Sequence, residues 1–152
     1  MSSRNNLAYT YQAAGDLERA ITLFERTLAD SERVLGPDHP DILISRNNLA
    51  GAYESAGDLV RAIELYESVL VDRERVLGPD HPATLSSRND LAYTCQAAGD
   101  FARAIALYER ALADHESVLG AGHPNTEIVR RNLAQARAVW PRHQGGVGVA
   151  PR

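Results

Sequence analysis

Between residues 43 and 77, apolar and small residues recur every three or four positions. The first run is Leu43, Leu49, Ala50, Tyr53 and Ala56; the second is Leu59, Ala62, Ile63, Tyr66, Leu70 and Leu77. Polar residues fill the places between. That spacing puts one apolar stripe along one side of a helix, so the stretch predicts two amphipathic helices. Strand-period alternation is absent from the chain. Ala56-Gly57-Asp58 separates the two runs. Glycine supplies a left-handed helix stop and aspartate caps the helix that follows.

The same pattern recurs. Arg4, Arg46, Arg88 and Arg130 are each 42 residues apart, and the segments they open align without a gap. Residues 4–45 and 46–87 agree at 28 of 42 positions, and residues 4–45 and 88–129 at 27 of 42. A fourth copy starts at Arg130 and stops after one helix. Self-similarity at such a period signals stacked helical units. Seven helices are predicted, near 2–14, 17–35, 41–56, 59–77, 83–98, 101–119 and 125–139. Small residues at Ala20, Ala62 and Ala104 let paired helices approach closely. The sequence after 140 is Gly-rich and aperiodic, and 141–152 is expected to be a flexible tail.

VLGPDHP joins the units at Val34–Pro40 and Val76–Pro82, and decays to VLGAGHP at Val118–Pro124. Gly36 ends a helix and Pro40 suits the first position of the next. His39 then falls at the N-cap, with Asp41 near the positive end of the dipole. A metal-binding row of His39, His81 and His123 is the alternative. Helices stack at ~8–10 Å, too far for three imidazoles to share a zinc with ligands at ~2 Å. No metal or cofactor is expected.

Leu7-Ala8, Tyr11, Gly15, Ala20 and Phe24 resemble the tetratricopeptide repeat signature. With the GPDHP linker, residues 1–139 resemble the long, 42-residue variety found in kinesin light chains and many bacterial regulatory proteins. HEAT repeats share the period but not the pattern. The resemblance implies an all-α, right-handed superhelical solenoid of three helix pairs (4–45, 46–87, 88–129) plus a C-terminal capping helix at 125–139, together residues 1–140. It also implies that first helices line a concave face that binds extended peptides. Carried over by position, the groove residues are Asn5, Tyr9 and Gln12; Asn47, Gly51 and Glu54; Asn89, Tyr93 and Gln96; Arg131 and Gln135. An Asn amide carries a donor and an acceptor and can pair with either peptide group. Gly51 stands where the other repeats have tyrosine, so a pocket is expected there. The alternative is that Asn6, Asn48 and Asn132 bond the adjacent repeat and stiffen the stack. The family's charged variant grips a C-terminal carboxylate with Lys and Arg; mostly neutral groups here argue against such a clamp.

Composition removes other classes. Net charge is −4 with acids and bases interleaved, which gives no footprint for nucleic acid or an anionic membrane. No apolar run reaches the ~20 residues of a membrane span, and the first residues lack a signal-peptide core. Phosphate loops, nucleophile elbows and zinc-protease motifs are absent, so no enzyme is expected. The lone cysteine, Cys95, takes a tyrosine's place at an apolar position; it is expected to be a core residue in a reducing, cytoplasmic compartment. All 16 basic residues are Arg, a coding bias that suggests a high-GC bacterium. The arginine column is expected to pair with acids on neighbouring helices, with Glu25, Glu67 and Glu109 as candidates. Trp140 is expected to pack against the previous helix.

The predicted function is therefore a non-catalytic module for a peptide or protein ligand. The first repeat lacks its His-Pro entry, which leaves its outer flank uncovered. Either the chain is the C-terminal piece of a larger bacterial signalling protein, or that flank pairs with itself in a homodimer that works as a scaffold.

Overall fold

The computed structural model describes residues 2–145. Among the described residues seven α-helices follow one another: α1 (Ser2–Ala13), α2 (Leu17–Leu35), α3 (Pro40–Ser55), α4 (Leu59–Leu77), α5 (Pro82–Ala97), α6 (Phe101–Leu119) and α7 (Pro124–Gly145). No strand occurs among the described residues. No described helix is long and apolar enough to cross a membrane. Six helices end within a residue or so of the positions predicted. The seventh does not end at 139: α7 passes Pro141 and reaches Gly145. The rest of the expected tail, 146–152, lies outside the described residues.

Two devices set the helix boundaries. At each Ala-Gly-Asp, glycine takes positive φ (Gly15 at 83°) and aspartate caps the next helix. Asp16, Asp58 and Asp100 accept from the backbone N–H of Arg19, Arg61 and Arg103 at 3.3, 3.2 and 3.2 Å. At each linker, glycine again turns the chain left-handed and histidine performs the capping. His39 Nδ1 accepts from Asp41 N–H at 3.1 Å, His81 Nδ1 from Ala83 N–H at 3.0 Å, and His123 Nδ1 from Asn125 N–H at 3.1 Å. An orphan N–H of the first helical turn is thereby satisfied. Each histidine has one ring nitrogen tied to its own backbone, and no group of three possible metal ligands forms among the described residues.

The chain divides into two compact units, Met1–Thr84 and Leu85–Arg152. In the first, α1 packs on α2, α2 on α3, and α3 on α4. Its core is Phe24, Ile42, Leu43, Tyr66 and Val69 around the fully buried alanines Ala8, Ala20, Ala50, Ala52 and Ala62. In the second, α6 packs on α7, around Leu91, Cys95, Ala104, Tyr108, Val129 and Leu133. Alanine at 20, 62 and 104 has no exposed surface, as close helix approach requires.

The arginine column is structural, but its partners differ from those expected. Arg4 pairs with Asp30 at 2.5 Å. Arg46 bridges Glu32 at 3.0 Å and Asp72 at 2.8 Å. Arg88 pairs with Asp114, and Arg130 with Glu127 and Glu116. Glu25 instead accepts the Tyr53 hydroxyl, and Glu109 accepts Arg137 at 2.9 Å. Antiparallel register explains the correction. Seven residues along α3 from Arg46 reaches Tyr53; seven back along α2 from Glu32 reaches Glu25. An arginine at this place on its helix therefore meets the C-terminal half of its antiparallel neighbour and not its middle. Glu116–Arg130 and Glu109–Arg137 repeat that register between α6 and α7.

Candidate functional site

In the first unit the candidate surface lies on α1 and α3. Side chains join the two helices directly: Gln12 Nε2 donates to Ser55 Oγ at 3.2 Å, and the Asn48 side chain hydrogen-bonds the Tyr9 hydroxyl. Tyr9 remains half exposed and stacks edge-on against Phe24, with ring centroids 5.3 Å apart. Burial raises the Tyr9 hydroxyl's pKa and the Asn48 bond partly opposes this, so it stays protonated at neutral pH. Glu54 is half-buried. Beside Gly51, a first side-chain carbon would stand 3.6 Å from the Tyr66 hydroxyl, an ordinary contact. The space next to this glycine is thus bounded by a buried phenol.

The asparagines divide by position. Asn48 and Asn132 bond the neighbouring repeat: Asn48 reaches Tyr9, and Asn132 Nδ2 donates to Asn89 Oδ1 at 3.3 Å. The first asparagines turn their oxygens inward. Asn5 Oδ1 and Asn47 Oδ1 are buried without a hydrogen-bond partner, and Asn89 Oδ1 accepts from Asn132. All three residues are only half-buried. Their amide nitrogens are consequently the ends left toward solvent. Each has two N–H donors without a partner among the described residues.

In the second unit, Tyr93 and Gln96 on α5 and Gln135 on α7 come together. With Ala97, Phe101 and Val139 they line a hollow of about 250 Å³. Tyr93 is mostly exposed. Gln96 Oε1 accepts from the Tyr108 hydroxyl at 3.2 Å. Arg131, one turn before Gln135, is exposed and lies 3.8 Å from Glu127; it does not line the hollow. The sequence singled out Tyr93, Gln96 and Gln135 but missed Ala97, Phe101 and Val139. A signal existed for two of them: Phe101 replaces Leu17 and Leu59, and Val139 falls where Ser55 stands two repeats earlier.

Cys95 is fully buried, and Trp140 is half-buried at the described end of the side chains. The buried column Ser31, Arg73 and His115 was not anticipated. Arg73 donates to the Ala83 carbonyl at 3.2 Å, and His115 Nδ1 lies 2.7 Å from the Ala111 carbonyl.

Comparison with known proteins agrees with this architecture. The tetratricopeptide repeat profile matches residues 1–71, 56–117 and 89–138. No curated protein sequence matches the chain. Among solved structures, the chain is similar to the nearly identical TPR-like repeats of a Podosopora anserina protein assigned as a kinesin light chain. The two share 33% identity with a TM-score of 0.81, over 89% of this chain and 64% of that one. BtubC (BKLC) from P. vanneervenii is similar in fold at 22% identity and TM-score 0.72, over 98% of this chain and 66% of the other. The Sgt2 TPR domain from Aspergillus fumigatus shares the fold at 18% identity and TM-score 0.65, over 99% and 84%. The chain spans just under two thirds of the length of the first two.

Proposed function

The chain belongs to the tetratricopeptide repeat family, in its kinesin-light-chain-like form, and on that premise we propose that it is a non-catalytic interaction module. It binds a peptide or protein segment through the exposed faces of its first helices. One observation carries the reading: Asn5 and Asn47 bury side-chain oxygens that no group pairs and Asn89 Oδ1 is taken by Asn132, which leaves the three amide nitrogens as donors without a partner among the described residues. A buried, unpaired Asn oxygen is unfavourable by ~1–3 kcal/mol. Folding alone does not explain repeating that arrangement at Asn5 and Asn47. Recognition does, because an N–H donor on each of α1 and α3 can meet a backbone carbonyl of an extended ligand, and Asn89 offers the same donor on α5. Tyr9 and Tyr93 offer apolar area beside these donors at small entropic cost. The setting that fits is a reducing compartment such as the cytoplasm, where Cys95 stays a thiol.

The test uses peptides selected from a random displayed library on the whole protein. Losing one amide donor should weaken binding about tenfold. Asn47→Ala and Asn89→Ala are each expected to do so in fluorescence polarisation, with helicity unchanged. Selected peptides that bind the double variant as tightly as wild type would refute the reading.

A second reading is self-assembly through the outer flank of α1 and α2, and specific observations favour it. Leu7 is 45% exposed, whereas its repeat equivalents Leu49, Leu91 and Leu133 are 5%, 2% and 4% exposed. The flank carries a hollow of about 600 Å³ lined by Leu7, Tyr11 and Arg19, against about 300 Å³ at Leu49, Tyr53 and Arg61. Exposed apolar surface of this kind marks an interaction site. Light scattering across a concentration series decides: a strict monomer at high concentration rules out the scaffold.

A further inference from the structure

The two units treat the same glutamine differently. Gln12 and Gln96 occupy equivalent positions, as do Ser55 and Val139. In the first unit, Gln12 Nε2 donates to Ser55 Oγ. In the second unit that partner has become Val139, which cannot accept. Gln96 Oε1 is held by Tyr108, so its Nε2 is the end without an acceptor among the described residues. Gln96, Val139 and Gln135 border the same hollow, with Ala97 and Phe101 supplying apolar wall and Tyr93 its exposed edge.

Resting on the peptide-binding reading above, we propose that this hollow is a subsite for one glutamine side chain of the bound segment. Its volume, about 250 Å³, is below the ~300–1,000 Å³ of small-molecule sites, which suits one side chain rather than a cofactor. Among the described residues no ionic group lines it, so a carboxylate or ammonium entering would lose its hydration without a counter-charge from them. An aliphatic side chain would cover Gln96 Nε2 and replace its water with nothing. A carboxamide matches both demands. Its carbonyl accepts from Gln96 Nε2, its amide reaches the Gln135 carboxamide, and its two methylenes lie against Val139, Ala97 and Phe101. Specificity of this sort comes from buried polar groups that only the right ligand pairs.

The probe is N-acetyl-glutamine amide, titrated into the full-length protein and followed by methyl NMR at Val139 and Ala97. N-acetyl-glutamate amide and N-acetyl-leucine amide are the controls. The glutamine probe should shift both methyl signals in the millimolar range and bind about fivefold tighter than either control. Val139→Ser restores the acceptor that Ser55 provides in the first unit. It should weaken the glutamine probe by about fivefold with unchanged circular dichroism. Equal binding of the leucine probe, no shift at tens of millimolar, or an unaltered Val139→Ser variant each overturns the subsite. The two readings fail separately. Selected peptides that depend on Asn47 but show no glutamine preference overturn the subsite alone. A titrating glutamine probe with Asn-independent peptides overturns the peptide-binding surface and leaves the hollow's chemistry standing.

Discussion

Replacing Leu49 with alanine and Leu7 with alanine removes the same atoms from the same place in successive repeats, yet the two should differ severalfold in cost. Three carbon atoms are lost in each case, worth ~0.8 kcal/mol apiece when fully buried. Leu49 is 5% exposed, so nearly the whole transfer term, ~2.3 kcal/mol, applies. The surroundings also retain part of the cavity, which brings the cost to about 3–4 kcal/mol. Leu7 is 45% exposed and borders a hollow already open to solvent. About half of the transfer term applies and no enclosed cavity forms, so the cost is about 1 kcal/mol. Urea unfolding followed by circular dichroism at low micromolar concentration measures both. Equal losses in a protein shown to be monomeric would refute the argument that packing on one flank distinguishes the repeats. Raising the protein concentration separates the second reading. If a second copy covers the flank, wild-type stability rises with concentration and Leu7→Ala becomes as costly as Leu49→Ala.

The linker histidine and one linker ion pair give two further tests. His39→Ala should lose about 1 kcal/mol of unfolding free energy, the usual worth of an N-cap acceptor, whereas His39→Asn, whose side-chain oxygen can also accept, should recover most of it; an alanine variant as stable as wild type would remove the capping role. Arg75 holds Asp38 through contacts of 2.5 and 3.1 Å and thereby lowers the Asp38 pKa. A depressed folded-state pKa stabilises above the unfolded value of ~3.9 and loses that stabilisation as pH falls through the folded value. Asp38→Asn should thus be less stable than wild type at neutral pH, the gap narrowing as pH falls below about 4; a gap that does not narrow on acidification contradicts the pairing.

Much of the fold was legible because its causes are local. A helix stripe needs only residues three or four apart, and a cap only three consecutive positions. Asp16, Asp58 and Asp100 cap as their place after glycine requires. His39 does the same through its proline neighbour. The arginine partners were less accessible. Asp30, Asp72 and Asp114 recur at the same 42-residue period as the arginines, but so do Glu25, Glu67 and Glu109. Only helix register chooses between them, and register depends on how two helices far apart in sequence dock. The candidate surface shows the same division. Its residues could be placed on the first helices, but the turning of asparagine oxygens inward could not be read from the chain.

The sequence by itself determined the number of helices, the boundaries of the first six, the repeat that generates them and the linker's role as a spacer. Each follows from interactions within one turn or one short loop. Tertiary structure alone decided which acid meets Arg46 and which asparagine amides remain unpaired. It also decided that Leu7 is half exposed where Leu49 is buried, and that Gln96 and Val139 border one hollow. Those outcomes depend on side chains from different helices arriving at one place. That arrival is fixed by packing distance and register, which no single helix encodes.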